Sequence, residues 1–156
     1  MYVFDTGPLI VLFRNYYLDC FPTLWGKFEA LISDNKIVSV REVANEINTY
    51  GNADRLTEWV KNNRKYFFQP AQNEFLIVTE IFKINHFQAL IRKKERLQGK
   101  PVADPFVIAK AKSLGGSVVT EERWKENSAN IPNVCEYFGI SCINLEEFMK
   151  KEDWTF

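Results

Sequence analysis

Four short apolar segments, separated by stretches with helical spacing, constrain the fold of this chain most strongly. They are YVF at 2–4, IVSV at 37–40, SVVT at 117–120 and ISCINL at 140–145. Strands that lack a polar face are typical of parallel sheets, because helices cover both sides of such sheets. The pattern therefore predicts an α/β domain of three layers, α/β/α, with a central parallel sheet of about four to five strands.

Helices are predicted where apolar residues recur every three or four positions. The longest mostly helical stretch runs from Asn73 to Arg96. Another helix is expected to begin near Asp104, because Pro105 suits a first turn and Gly115 suits a helix end. The segment YFFQP at 66–70 is compatible with either a short strand or a turn.

Length and composition indicate one domain that spans residues 1–156. The chain is 46% hydrophobic and contains 13 Phe and four Trp, which is enough apolar material for a single core. No apolar run reaches the roughly 18 to 20 residues of a membrane span, and the first residues lack the pattern of a signal peptide. We therefore expect a cytoplasmic protein that does not engage a membrane.

Histidine and cysteine are too scarce for several common kinds of catalysis. His86 is the single histidine, and Cys20, Cys135 and Cys142 lie among apolar neighbours, which suits reduced thiols. Nucleophilic triads that need a histidine, and zinc sites that need several His or Cys ligands, therefore have little support. Any catalysis is expected to rest mainly on carboxylates.

The charge balance excludes a molecule-wide attraction for polyanions, because 20 Lys and Arg residues are matched by 20 Asp and Glu residues. One local stretch is strongly basic, and its cations are Arg92, Lys93, Lys94, Arg96 and Lys100. Two interpretations stay open. The stretch is either a solvated helix end or an anchor for RNA phosphates beside Asp104.

Asp5 comes directly after the first apolar segment, and the sequence Asp5-Thr6-Gly7 also occurs beside the catalytic carboxyl of aspartic proteases. Those proteases are almost entirely β and have no helix after this sequence, so the α/β pattern argues against a protease. In open α/β sheets, ligands bind beyond the carboxyl ends of the strands. Asp5 and Glu122 each follow a predicted strand, and we expect both at this edge.

Glu46 and Asp104 complete the set of candidate acids. Glu46 lies one turn into the helix after IVSV, beside apolar positions of that helix, and Asp104 opens a later helix. Each acid also has a simpler interpretation. Asp5 would then be a turn residue, Glu46 a surface acid, Asp104 a helix cap and Glu122 a loop charge.

Carboxylates grouped around one pocket repel one another and raise their pKa values unless a cation lies between them. Oxygen ligands, with few His or Cys residues available, favour Mg²⁺ or Mn²⁺ over zinc. Two alternatives stay open for the set. Glu121 is a substitute for Glu122, and Glu42, one helical turn before Glu46, is an additional candidate.

At these residues the chain resembles the PIN-domain ribonucleases, the fold of many VapC-type toxins of toxin–antitoxin systems. The resemblance covers nearly the whole chain, from YVFDTGPLI through VREVANEI and ADPFVIAKAKSLGGSVVTEE to CINLEEF. It places the acids of the family on Asp5, Glu46, Asp104 and Glu122, although the last position usually carries Asp. We expect Thr6 to orient Asp5 or a metal-bound water and not to react itself, and we expect Thr120 to support the acids.

The resemblance implies a metal-dependent endoribonuclease, in which Mg²⁺ or Mn²⁺ on the acids activates water against an RNA phosphodiester. It further implies a cognate antitoxin as a partner, and it implies that homodimers are common. An alternative of a different class is a PIN-like module that binds RNA or protein without cleaving it. A phosphatase of the haloacid dehalogenase kind is disfavoured, because Gly7 stands where that class requires a second Asp.

Overall fold

The structure is a computed structural model that describes residues 1–50, 55–90 and 102–156. The strands of the described chain are β1 (Tyr2–Phe4), β2 (Ile37–Val40), β3 (Phe67–Phe68), β4 (Ser117–Val119) and β5 (Ser141–Ile143). The helices are α1 (Thr6–Asn15), α2 (Pro22–Ser33), α3 (Arg41–Tyr50), α4 (Arg55–Asn62), α5 (Gln72–Lys83), α6 (Asp104–Leu114), α7 (Ile131–Tyr137) and α8 (Leu145–Lys151). Short 3-10 turns occupy Arg64–Tyr66 and Asn85–Gln88.

The described strands form one parallel sheet in the order β3-β2-β1-β4-β5. Strand β1 is central, and its Val3 pairs with Val38 of β2 and with Val118 of β4. The predicted α/β/α fold with a parallel sheet is confirmed. The sheet has five strands because the YFF sequence is extended, and Val40 pairs there with Phe68 of β3.

Alternating side chains of β1 build the two halves of the core. Phe4 points to the layer of α2 and α8, where its ring makes edge-to-face contacts with Phe28 at 6.1 Å and with Phe148 at 5.1 Å. Helix α6 covers the opposite face, where it packs on β1, β2 and β4 and on the neighbouring helices α5 and α7. Val3 and Asp5 alternate with Phe4, so Asp5 lies at the end of the strand on the α6 side.

Helix α6 begins and ends where its sequence predicts. It starts at Asp104 with Pro105 in the first turn, and it ends at Gly115, whose φ of 60° is left-handed and suits a residue without a Cβ. Most of the helix is buried, which explains why its sequence lacks a polar stripe. Because α6 begins at Asp104, this acid lies near Asp5 at the carboxyl end of β1.

The described part of the stretch predicted as mostly helical from Asn73 to Arg96 is mostly helical, but it is not one continuous helix. Helix α5 ends at Lys83, Ile84 is extended with φ −88° and ψ 108°, and a 3-10 turn follows. The turn brings Phe87 into the core, where its ring lies 5.4 Å from Tyr137 and 6.4 Å from Phe138. The α-helix is therefore interrupted just before the position where Phe87 packs into the core.

Two further predictions concern the basic stretch and membrane-spanning helices. The basic stretch that contains Arg92, Lys93, Lys94, Arg96 and Lys100 lies outside the described residues. Among the helices that the structure describes, none combines the length and the apolar character needed to cross a membrane.

Candidate active site

Asp5 is fixed at the carboxyl edge of the sheet between β1 and β4. Its backbone N–H donates to the carbonyl of Val119 at 2.9 Å, which extends the pairing of the two strands by one residue. Its Oδ2 accepts a hydrogen bond of 2.9 Å from the Thr120 hydroxyl. Only 7% of the residue is exposed, so the carboxylate is held in a nearly dry environment.

Asp104 and Glu122 act electrostatically on Asp5. The pKa of Asp5 rises from an ordinary value of 3.8 to about 7, first because the carboxyl is buried and then because of the negative charge of Asp104. Hydrogen bonds from the Thr6 backbone and from Thr120 oppose the rise, and the charge of Glu122 adds to it. The structure therefore brings these acids close enough for their charges to be coupled.

Glu46 connects the chain segments next to Asp5 and Asp104. Its Oε2 accepts from the Thr6 hydroxyl at 2.7 Å, and its Oε1 accepts from the backbone N–H of Ala103 at 3.1 Å. Thr6 follows Asp5 in the chain, and Ala103 precedes Asp104. Glu46 is 6% exposed, so this acid is an internal bridge and not a surface charge on α3.

Glu121 and Glu122 diverge although they are neighbours in the chain. Glu122 Oε2 accepts from the N–H of Ile131 at 2.8 Å, at the start of α7, whereas Glu121 Oε1 accepts from the N–H of Leu145 at 3.1 Å, at the start of α8. Glu121 also lies against Gly7, where an added Cβ would come within 3.3 Å of the Glu121 Cβ. Of the two, Glu122 is the acid whose charge acts on Asp5.

Thr120 supports Asp5 as predicted, whereas the hydroxyl of Thr6, predicted to orient Asp5 or a metal-bound water, bonds Glu46. Thr120 is 1% exposed, and its hydroxyl donates to Asp5 while accepting from the backbone N–H of Glu122 at 3.1 Å. Thr6 donates to Glu46. Each hydroxyl therefore restrains one of the carboxylates.

Glu42, one helical turn before Glu46, is a buried acid that pairs with Arg41. Its Oε1 accepts from both the Nε and an Nη atom of Arg41, the second at 2.7 Å. Its Oε2 is buried and has no hydrogen bond within the described part of the molecule. A charge interaction between Glu42 and Asp5 is not among the causes of the Asp5 shift, so we leave Glu42 outside the candidate site.

The acids fit a hard divalent cation in their chemistry but do not form a preformed metal centre. Across residues 1–50, 55–90 and 102–156, no three His, Cys, Asp or Glu side chains form a group that could hold a metal ion as they stand. Asp5 forms no ion pair with any described lysine or arginine, and its raised pKa shows that its charge is poorly compensated. A cation among oxygen ligands would supply that compensation.

The Asp5 carboxyl gives a pH dependence that can be measured without any metal. Because its pKa is raised in the folded state, it favours folding at low pH, and that stability is lost as pH rises through about 7. Between about pH 5 and about pH 8, wild type in EDTA should lose on the order of 2 to 4 kcal/mol of unfolding free energy relative to Asp5→Asn. Urea unfolding of both proteins at the two pH values measures this difference, and parallel pH curves would contradict it.

Comparison with known proteins identifies a family but no activity. A family model described as Domain of unknown function (DUF4411) matches residues 2–156, which is nearly the entire chain. No protein of curated function matches the chain. The chemistry must therefore be argued from the site itself.

Proposed function

The chain belongs to the DUF4411 family, and we propose that it is a metal-dependent endoribonuclease of the PIN type. The observation that supports this most is the position and charge environment of Asp5. Asp5 is buried at the carboxyl end of the central strand, and its pKa is raised by the charges of Asp104 and Glu122. Charge repulsion of this kind in a buried site is typical of functional positions in parallel sheets.

Asp5, Asp104, Glu122 and Glu46 would hold Mg²⁺ or Mn²⁺. The bound ion would supply positive charge that lowers the pKa of a nearby water and stabilises charge developing on the phosphate. Asp5 and Asp104 have the shorter side chains and are both buried, so we assign them the most direct contact with the ion. Thr120 holds Asp5, and the hydrogen bonds of Glu46 keep the starts of α1 and α6 together.

In the proposed reaction, water attacks the phosphorus of an RNA phosphodiester in line with the bond that breaks. The 3′ oxygen of the upstream nucleotide leaves, so the downstream product carries a 5′-phosphate. The side chains that contact or act on the Asp5 carboxyl include the Thr120 hydroxyl and the acids Asp104 and Glu122, which suits carboxylate chemistry.

The biological setting follows from the resemblance to VapC-type toxins. We propose a growth-arresting toxin whose RNase activity is restrained by a cognate antitoxin, with a homodimer as its assembly. A small DNA-binding protein encoded beside this chain would support the setting. Expression of this chain alone should arrest growth, and co-expression of the neighbouring protein should relieve the arrest.

Cleavage of a mixed RNA by the purified protein tests the proposed activity. We expect cleavage with Mn²⁺, none with EDTA, and products that a 5′-phosphate-dependent exonuclease degrades. The alternative is a PIN-like module that binds without turnover, and it is favoured by the lack of a preformed three-acid metal group among the described side chains. RNA binding without Mn²⁺-dependent cleavage would establish that alternative.

The divergence of Glu121 and Glu122 gives a matched pair of variants. Glu122→Gln should lower cleavage about tenfold, because it removes one of the carboxylate charges proposed to hold the ion. Glu121→Gln should change cleavage little, because its carboxylate faces the start of α8 and the amide oxygen can still accept from Leu145. Rates under saturating Mn²⁺ measure both, and an equal loss in the two variants would contradict the assignment.

A further inference from the structure

A surface cavity between α1 and α4 combines aromatic walls with two arginines. Its volume is about 310 Å³, and it is lined by Ile10, Phe13, Arg14, Tyr17, Arg55 and Leu56. Ile10, Phe13 and Arg14 are spaced as one face of α1, Tyr17 lies just past the end of that helix, and Arg55 opens α4 from the other side. The cavity is large enough for one planar ring system together with its polar substituents.

The described lining of this cavity carries two positive charges, on Arg14 and Arg55. None of the described residues that line the cavity is acidic, and neither Arg14 nor Arg55 forms an ion pair with a carboxylate of the described part of the chain. Arg55 is instead held over aromatic rings, with its guanidinium carbon 5.9 Å from the centre of Phe13 and 5.8 Å from that of Trp25. A guanidinium placed on rings is fixed in position and keeps its donors available for an anion.

Tyr17 adds an exposed ring beside these charges. It is 61% exposed and lies just past the end of α1, whereas Phe13 is half-buried and forms the floor with Ile10. An exposed aromatic ring next to arginines can stack a nucleobase while the guanidiniums contact phosphate. The two arginines would not strengthen the binding of a neutral or a cationic ligand.

Helix α1 links the cavity directly to the acids. It begins at Thr6, which bonds Glu46, and it carries Phe13 seven residues later. At a rise of 1.5 Å per residue the separation along the helix is about 10 Å. That distance corresponds to roughly three nucleotides at the 3.4 Å rise of a stacked strand.

We propose that this cavity binds one nucleotide of the single-stranded RNA substrate, about three nucleotides from the bond that is cleaved. Tyr17 stacks on the base, and Arg14 and Arg55 bind the adjacent phosphates. This inference rests on the proposed nuclease function, but it concerns binding and can be tested apart from cleavage. Because stacking on a tyrosine tolerates every base, the cavity selects single strands more than it selects a sequence.

Binding of a short labelled single-stranded RNA of mixed sequence, measured by fluorescence anisotropy in EDTA at several salt concentrations, tests the cavity. Arg14→Ala combined with Arg55→Ala should weaken binding about tenfold or more and reduce the slope of log affinity against log salt by about 1 to 2. Tyr17→Ala should weaken binding about fivefold to tenfold and leave the slope unchanged. Thermal melting of each variant confirms that it is folded.

The matched control is Arg64→Ala combined with Lys65→Ala, which removes the same charge from exposed positions. These residues precede β3, so they lie at the amino edge of the parallel sheet, opposite the acids. The control should bind RNA like wild type. An equal loss in the control would show a general charge effect and overturn the proposal.

Three further outcomes would overturn the proposed RNA site. Absence of RNA binding by wild type, or unchanged affinity and salt slope in the arginine variant, would overturn the RNA site. Competition by a polyglutamate peptide as effective as competition by RNA would overturn it in favour of an acidic protein ligand. A failure of the nuclease proposal would look different, since RNA would bind through the cavity but would not be cleaved with Mn²⁺.

Discussion

Asp5→Asn and Asp104→Asn are each expected to reduce Mn²⁺-dependent RNA cleavage by about a hundredfold or more. Each change keeps the size and shape of the side chain but removes one negative charge from the proposed metal ligands. Asp5 and Asp104 are only 7% and 3% exposed, so solvent screens the loss of the charge poorly. The remaining acids would hold the ion more weakly, and the charge developing on the phosphate would be less stabilised.

Initial rates on a mixed RNA at saturating Mn²⁺ measure this effect, with circular dichroism and thermal melting as checks of folding. Asp34→Asn is the matched control, because Asp34 is an exposed acid just before β2, at the opposite edge of the sheet. The control should cleave at the wild-type rate. A well-folded Asp5→Asn protein with wild-type activity would show that the carboxylate is structural.

Glu74→Gln is expected to lower the free energy of unfolding by about 3 kcal/mol. Glu74 of α5 and Lys110 of α6 form an ion pair of 2.7 Å whose side chains are 3% and 9% exposed. The other Glu74 oxygen accepts from the N–H of Ala71 at 3.2 Å, at the start of α5. The variant leaves the Lys110 ammonium buried without its counter-charge, although the ring of Phe68 at 5.3 Å retains part of its stabilisation.

Urea unfolding at neutral pH measures the loss. Glu146→Gln, which removes a solvent-exposed partner of Lys150, is the control and should unfold like wild type. Combining Glu74→Leu with Lys110→Met should recover much of the stability, because an apolar pair of similar size needs no counter-charge. A Glu74→Gln protein that unfolds like wild type would contradict the importance of the buried pair.

The architecture could be predicted because its strands are apolar on both faces and its helix ends carry local signals. Strand β1 and the start of α6 at Asp104-Pro105 are examples in which residues close in sequence determine the outcome. The end of α5 could not be predicted in this way. The break after Lys83 depends on the burial of Phe87 against α7, about fifty residues further along the chain.

The positions of the acids could be predicted one at a time, but their connections could not. Asp5 follows a strand and Asp104 begins a helix, and both facts are local. The bridge from Glu46 to Ala103 joins residues 57 positions apart, and no local pattern indicates it. Similarly, Glu121 and Glu122 have the same sequence environment, and only the helix that each one caps distinguishes them.

The arginine cavity depends entirely on long-range packing. Arg14 belongs to α1 and Arg55 to α4, and each is an ordinary surface cation in the sequence. Packing of Phe13 and Trp25 at 4.6 Å creates the aromatic surface over which Arg55 lies. Only the fold therefore shows that these charges share one surface.

Mn²⁺ binding and RNA cleavage measured on the same samples test the central claim most directly. Electron paramagnetic resonance would count the Mn²⁺ bound to wild type, Asp5→Asn and Asp104→Asn at neutral pH, and RNA cleavage would be followed in parallel. We predict that wild type binds Mn²⁺ and cleaves RNA, and that both properties fall together in the two variants. Full cleavage in EDTA, or cleavage that persists in a variant that has lost its Mn²⁺, would contradict a catalytic metal site at these acids.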